Sequence, residues 1–154
     1  AGVKIEIGKN YLRVRAPVIP GKALRAINIK THEYPGFPTD LQAPMTVYLT
    51  QAEGKSLVFE TIFEGRLNYT ESLKRMGAEI TSMDPHRVMV SGPTPMTGKE
   101  LESPDLRAGL AFVIAAIVAN GESVIHNVYN IDRGYERVEE RLKSLGVSIS
   151  RIPG

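Results

Sequence analysis

The first fifteen residues alternate between apolar and polar side chains in two short stretches, residues 3–7 and 11–15. Such alternation places every second side chain on the same face of a β-strand. A turn containing Gly8 and Asn10 separates the two stretches, so the pattern predicts a β-hairpin. Residues 17–21, which include two prolines and a glycine, predict a loop.

Apolar residues at helical spacing follow a rigid segment, residues 34–40, that contains two prolines and one glycine. Leu41, Met45 and Ala52 recur with the period of a helix, and Pro44 is tolerated only in a first turn. The pattern therefore predicts a helix over about residues 40–52 that begins beside Asp40. A second predicted helix, residues 106–119, is apolar nearly all round, which is typical of a buried helix.

The remaining pattern predicts strands over residues 26–31 and 56–62, a helix over 68–76 and a hairpin from 78–81 and 87–91. The order of elements then recurs with matching sequence. The matches are Gly77-Ala-Glu-Ile80 with Gly146-Val-Ser-Ile149 and Gly2-Val-Lys-Ile5, Asp40-Leu41 with Asp105-Leu106, Ala52-Glu-Gly54 with Ala119-Asn-Gly121, and Arg66 with Arg133. We predict an α/β fold in one domain, residues 1–154, made of two full βαβαββ copies, about 1–80 and 81–150, with partial flanks.

Composition narrows the class of protein. The 154 residues carry a net charge of +2 and no Trp, which argues against a nucleic-acid surface. Cysteine is absent, so disulfides and thiolate chemistry within this chain are excluded, and the three histidines are too far apart in sequence for metal-ligand spacing. The longest apolar run, residues 108–119, is too short to cross a bilayer. With no signal peptide visible, we expect a soluble, cytoplasmic protein, and the missing initiator Met suggests a fragment.

The repeat also indicates candidate active-site residues. Each copy has an Asp at the start of its first helix, Asp40 and Asp105, and an Arg in the turn before its second helix, Arg66 and Arg133. The second copy adds Arg107. Because strand ends and helix starts gather along one edge of such a unit, these five residues are expected to face a common cleft.

Two interpretations of these residues remain open. An Asp at a helix start is more often an N-cap than a catalyst, and Asp105 and Arg107 can pair with each other or cap locally. Alternatively, several arginines suit a phosphate dianion, and Asp40 beside them suits proton transfer from a substrate hydroxyl. The chain has no Walker, GxGxxG or GxSxG motif.

Several segments together resemble the C-terminal region of the UDP-N-acetylglucosamine 1-carboxyvinyltransferases, a family of enolpyruvyl transferases that opens peptidoglycan synthesis. The resemblance covers most of the chain, certainly residues 35–146. The segments are Tyr34-Pro-Gly-Phe-Pro-Thr-Asp-Leu-Gln42, Thr50-Gln-Ala-Glu-Gly54, Glu60-Thr-Ile-Phe-Glu-Gly-Arg66, Arg75-Met-Gly-Ala78, Asp105-Leu-Arg-Ala108 and Ile131-Asp-Arg-Gly-Tyr-Glu-Arg137.

The resemblance implies the fold of that family, an inverted α/β barrel of repeated units, and its reaction. The 3-hydroxyl of the N-acetylglucosamine moiety adds to C2 of phosphoenolpyruvate, and the intermediate then loses phosphate. Asp40 matches the acid/base aspartate, and Ile62, next to Phe63, matches the backbone position that holds the sugar nucleotide. Arg66, Asp105, Arg107 and Arg133 match active-site positions, Arg133 among those that meet the phosphoenolpyruvate phosphate. No metal or cofactor is implied.

Two positions depart from the family pattern, Gly65 where Asn is frequent and Pro104 where Thr is frequent. The Lys-Asn pair, further arginines and the mobile loop with its reactive Cys or Asp have no counterpart here, since they belong to the missing other domain. We therefore expect the chain to be inactive alone. The alternative hypothesis is a non-catalytic repeat module that uses the same edge to bind a partner or an anion.

Overall fold

The computed structural model describes residues 1–15 and 24–152. The loop predicted over 17–21 lies outside the described residues. The elements, in chain order, are β1 (Lys4–Ile7), β2 (Leu12–Arg15), β3 (Ile29–Lys30), a 3₁₀ turn (Thr39–Leu41), α1 (Gln42–Thr50), β4 (Gly54–Phe59), α2 (Thr70–Arg75), β5 (Glu79–Asp84), β6 (Arg87–Gly92), β7 (Glu100–Glu102), α3 (Leu106–Val118), β8 (Val124–His126), α4 (Tyr129–Asp132) and α5 (Val138–Ser144).

One complete βαβαββ unit runs from β3 to β6. Its four strands have the spatial order β3-β4-β6-β5, with β3 parallel to β4 and the hairpin of β5 and β6 antiparallel. Parallel neighbours need a crossover, and α1 supplies it between β3 and β4. The α/β class and the repeated unit predicted from the sequence are confirmed.

The second unit is shorter than predicted. Its strands β7 and β8 pair in parallel across α3, as β3 and β4 do across α1. Two short helices follow, but within the described ranges no strand stands where β5 and β6 stand in the first unit. The prediction of two full copies is therefore wrong: the structure has one full copy and most of a second. The boundary expected near residue 80 falls inside β5.

The repeat is visible in the backbone as well as in the sequence. Gly2, Gly77 and Gly146 all have positive φ angles, +83°, +108° and +91°, a conformation that side chains with a Cβ rarely adopt. Burial differs between the copies: Met76 is fully buried, whereas Leu145 at the equivalent position is 79% exposed. The difference arises because β5 packs against α2, whereas no equivalent strand follows α5 among the described residues.

The core lies where α1, α3 and the four-stranded sheet meet. Val47 and Leu49 of α1, Val58 of β4, and Ala111 and Phe112 of α3 are all essentially inaccessible to solvent. As predicted, α3 is buried along most of its length. None of the helices in the described ranges is long and apolar enough to cross a membrane.

Candidate active site

The helices α1 and α3 pack together, and their N-terminal ends lie side by side. The carboxylate of Asp40, in the 3₁₀ turn before α1, accepts a hydrogen bond from Nε of Arg107 in the first turn of α3. The two residues are 67 positions apart and belong to different repeat units. The structure therefore brings Asp40 and Arg107 together at one edge, as the repeat predicted for this pair.

Asp40 is not a helix cap. The backbone N–H groups of Leu41 and Gln42 donate instead to the carbonyls of Pro38 and Thr39, which closes the 3₁₀ turn without any side chain. The carboxylate of Asp40 is 58% exposed and faces two guanidinium groups. The capping interpretation is wrong for Asp40, and its carboxylate is accessible to a ligand.

Asp105, at the equivalent position of the second unit, does cap its helix. Its Oδ1 accepts hydrogen bonds from the backbone N–H groups of Arg107 at 2.8 Å and Ala108 at 3.1 Å. These groups have no partner within the helix, so the cap stabilises the start of α3. Asp105 thereby fixes the backbone from which Arg107 reaches Asp40.

Arg66 is the second cation beside Asp40. Its Nη1 lies 3.5 Å from Oδ1 of Asp40 and donates to the hydroxyl of Thr39 at 2.8 Å. The guanidinium carbon sits 3.9 Å from the centre of the Phe63 ring, within the range of a cation–π interaction. Hydroxyl, carboxylate and ring hold Arg66 on three sides.

The two arginines differ in environment. Burial lowers the pKa of Arg66, and the positive charge of Arg107 lowers it further. The hydrogen bond to Asp40 raises the pKa of Arg107. A guanidinium remains protonated in either setting, so the site carries two fixed positive charges around one carboxylate.

Ile62 and Phe63 follow β4 in a loop whose backbone N–H groups are bound by a side chain of the same loop. The N–H groups of both residues donate to the Glu60 carboxylate, at 2.9 Å and 3.2 Å. The predicted strand over 56–62 ends at Phe59. Beyond it, the N–H of Thr61 donates to a side chain, the hydroxyl of Thr31, where a strand would have a backbone partner. The N–H of Ile62 is thus occupied, which leaves its carbonyl oxygen as the backbone group that a ligand can use.

Arg133 lies near this edge but outside the cluster. It follows α4 directly, and a methyl group placed on its neighbour Gly134 would lie only 3.0 Å from Leu106 at the start of α3. Its side chain is exposed and forms no hydrogen bond or ion pair with the rest of the chain that the structure describes. The structure brings Asp40, Arg66 and Arg107 together and leaves Arg133 nearby.

Two residues of the site escaped prediction, Glu60 and Thr39. Both lie in segments that carry the family resemblance, 34–42 and 60–66. Only the pattern of a carboxylate directly after a buried strand could have indicated the role of Glu60. Across the described ranges, no cluster of three or more His, Asp and Glu residues suits a metal ion.

The fold and this arrangement of residues define a class. Residues 1–142 match the family described as EPSP synthase (3-phosphoshikimate 1-carboxyvinyltransferase), and the chain belongs to this family of enolpyruvyl transferases. The enolpyruvyl transferase NikO from Streptomyces tendae superposes over 96% of the chain and 33% of its own, with a TM-score of 0.85 and 26% identity. EPSP synthase from Acinetobacter baumannii, at 16% identity over 98% of the chain and 34% of its own, shares the fold with a TM-score of 0.64.

Within the family, relatives similar in sequence are UDP-N-acetylglucosamine 1-carboxyvinyltransferases. The enzyme of Treponema denticola is 57% identical over 75% of this chain and 27% of its own length. That of Acidobacterium capsulatum is 48% identical over 99% of this chain and 34% of its own. The chain thus spans about a third of the length of these relatives.

Proposed function

We propose that the chain forms part of a UDP-N-acetylglucosamine 1-carboxyvinyltransferase. In the proposed reaction, the 3-hydroxyl oxygen of UDP-N-acetylglucosamine bonds to C2 of phosphoenolpyruvate as the C2=C3 double bond takes a proton at C3. The tetrahedral intermediate then loses phosphate from C2 and a proton from C3, which restores the double bond. The observation that carries the proposal is the cluster of Asp40, Arg66 and Arg107, three charged side chains from two repeat units that converge on one exposed edge.

Asp40 is the proposed acid/base residue. Its carboxylate is exposed on a turn, and two guanidinium groups flank it without enclosing it. The ionised carboxylate can accept the proton of the attacking hydroxyl as the new C–O bond forms. Because Asp40 does not cap α1, a change in its protonation does not require the helix start to rearrange.

Arg66, Arg107 and Arg133 are the proposed anion-binding groups. Guanidinium groups bind phosphate and carboxylate through charge-assisted, often bidentate hydrogen bonds. Arg66 and Arg107 are already oriented in the cluster. The side chain of Arg133 is exposed, and its neighbour Gly134 lies against Leu106 at the start of α3, so Arg133 can close onto the phosphate of phosphoenolpyruvate when substrate binds.

Ile62 and Phe63 are proposed to hold the sugar nucleotide. The Ile62 carbonyl is the backbone acceptor that remains after Glu60 has taken the N–H groups of this loop. An acceptor selects a ligand group that donates, such as an amide N–H or a hydroxyl of the sugar nucleotide. The half-exposed ring of Phe63 provides apolar contact beside it.

The proposal assigns only half of a site to this chain. Stabilising a transition state requires preorganised donors on all sides of the reacting group, and the other domain of the enzyme would supply the rest. The partners are therefore the two substrates and that domain, with no role for nucleic acid or a membrane. We place the protein in peptidoglycan synthesis in the cytoplasm, where both substrates are used.

The test is an amide chemical-shift titration of the chain with UDP-N-acetylglucosamine and then with phosphoenolpyruvate. We expect shifts confined to the surroundings of Asp40 and Ile62, and we expect them to weaken in Asp40→Asn. Asp84→Asn, at the end of β5, is the matched control. A folded chain that shows no shift at millimolar ligand would contradict binding by the isolated half-site. If the chain alone released phosphate from phosphoenolpyruvate in the presence of UDP-N-acetylglucosamine, its predicted inactivity would be contradicted.

A further inference from the structure

Glu60 is a fully buried carboxylate at the centre of the loops that carry the site. It lies directly after β4 and accepts four hydrogen bonds. A buried charge is tolerated only when such partners replace water, and an ionised carboxylate has acceptor sites for about four of them. The donors are the hydroxyls of Thr31 at 3.0 Å and Thr39 at 2.8 Å and the N–H groups of Ile62 at 2.9 Å and Phe63 at 3.2 Å.

These partners come from different segments of the chain. Thr31 follows β3, Thr39 precedes Asp40 in the 3₁₀ turn, and the two N–H groups belong to the loop after β4. One side chain thus joins the loop that carries Asp40 to the loop that carries the proposed sugar-nucleotide contacts.

The contacts of Glu60 also reach Arg66 along two routes. The Thr39 hydroxyl donates to Oε2 of Glu60 and accepts from Nη1 of Arg66 at 2.8 Å, so it can serve both only in this direction. The ring of Phe63, whose N–H is held by Oε1, supports the guanidinium from the other side at 3.9 Å. Removing the negative charge would loosen both supports.

We propose that Glu60 is a positioning residue that orients Arg66 through Thr39 and holds the Ile62–Phe63 loop, an inference that builds on the proposed function of this site. Glu60 itself need not touch substrate. Glu60→Gln is the direct variant, since an amide has the shape of the carboxylate but replaces one acceptor oxygen by a donor. With the donor at the Oε2 position the Thr39 hydroxyl loses its acceptor, and with the donor at the Oε1 position the N–H groups of Ile62 and Phe63 lose theirs.

Two variants of Thr39 isolate the route to Arg66. Thr39→Val keeps the shape and removes the hydroxyl, while Thr39→Ser keeps the hydroxyl. Glu60 retains its contacts with Ile62 and Phe63 in both. A merely structural role would show as a loss of stability alone, so we measure the contacts and ligand binding separately.

The first measurement needs no ligand. Nuclear Overhauser contacts between Arg66 and the Phe63 ring report the position of the guanidinium, and hydrogen exchange reports the N–H groups of Ile62 and Phe63. We expect Thr39→Val to lose the Arg66 contacts with exchange unchanged, and Thr39→Ser to restore them. Glu60→Gln should either lose the Arg66 contacts or raise both exchange rates by about tenfold or more, the effect expected for one lost hydrogen bond to a charged group. Wild-type contacts in Thr39→Val would overturn the inference, as would wild-type contacts together with unchanged exchange in Glu60→Gln.

The second measurement is the affinity for UDP-N-acetylglucosamine. We expect it to fall about tenfold in Thr39→Val, the equivalent of one charge-assisted hydrogen bond, and to recover in Thr39→Ser. Equal affinity in Thr39→Val and wild type would overturn the positioning role. If wild type itself does not bind, the proposed binding function of this half-site fails, while the ligand-free contacts still decide the role of Glu60. Should Glu60→Gln fail to fold, Thr39→Val and Thr39→Ser still test the positioning of Arg66.

Discussion

Asp40 and Arg107 join two repeat units through a single ion pair at the N-terminal ends of α1 and α3. The carboxylate belongs to the complete unit and the guanidinium to the shorter one. The orientation of Asp40 therefore depends on how the two helices pack, as well as on its own loop. A shift of α3 relative to α1 would move the cation away from the proposed acid/base residue.

The two aspartates should differ sharply in their contribution to stability. Asp105→Ala removes the cap of α3, and we expect the free energy of unfolding to fall by about 1 kcal/mol, within the usual range of 0.5–2. Asp40→Ala removes two partly exposed ion pairs, with Arg66 and Arg107, so we expect a loss of under about 0.5 kcal/mol. Urea denaturation measures both. Asp105→Asn, which retains a capping oxygen, is the control and should stay close to wild type. A larger loss at Asp40 than at Asp105 would contradict the assignment.

Equivalent glycines of the repeat offer a second comparison. Gly77 and Gly146 both have positive φ, so alanine is strained at either position. A Cβ at Gly77 would also lie 2.8 Å from the carbonyl of Pro95, whereas a Cβ at Gly146 meets nothing within 4 Å. We expect Gly146→Ala to lower the free energy of unfolding by about 1 kcal/mol and Gly77→Ala by about 2 kcal/mol or more. Equal losses in urea denaturation would show that contact with Pro95 is unimportant.

The titration of Asp132 should depend on Arg151. A bidentate pair, at 2.7 Å and 2.8 Å, holds the pKa of Asp132 below its ordinary value of 3.8. Since the folded pKa is the lower one, the pair stabilises the fold above pH 3.8, and this contribution is lost as the pH falls through that value toward the folded pKa. In Arg151→Gln, we expect the pKa of Asp132 to return toward 3.8 in a carboxyl-carbon NMR titration. Arg141→Gln in α5 is the control, and an equal effect from it would contradict the pairing.

Arg66 should not tolerate exchange for lysine. An ammonium has no planar face for the Phe63 ring and cannot present two parallel N–H groups to an anion. We expect Arg66→Lys to weaken the phosphoenolpyruvate response in an amide titration by about tenfold, the equivalent of about 1.4 kcal/mol. Arg75→Lys in α2 should leave the response unchanged. A wild-type response in Arg66→Lys would mean that charge alone suffices.

Much of the fold follows from local patterns in the sequence. The alternating segments 3–7 and 11–15 became the antiparallel strands β1 and β2, the helix of residues 106–119 became α3 within one residue, and the hairpin of β5 and β6 was predicted. These predictions succeed because burial on one face dictates the spacing of apolar residues. The predicted strand over 26–31 is reduced to Ile29–Lys30, where pairing with β4 sets its length.

The errors concern contacts that sequence spacing does not encode. The second unit was expected to be complete because its glycines and leucines match those of the first, yet a strand requires a neighbour to pair with. Five of the seven predicted site residues were expected to face a common cleft, and the structure brings three of them, Asp40, Arg66 and Arg107, together because α1 and α3 of different units pack side by side. Glu60 was overlooked because its importance arises from four partners in three segments.

The unequal starts of α1 and α3 bear on how such a site can evolve. In α3 an aspartate side chain still holds the helix end. In α1 the carbonyls of Pro38 and Thr39 do so, and Pro44 has no N–H that needs a partner, so the side chain of Asp40 is free of that structural task. When backbone carbonyls can replace a side-chain cap, a duplicated unit can lose that cap in one copy and remain stable. Recruitment of such a carboxylate to chemistry then requires only a change of partner, while the other copy keeps its cap.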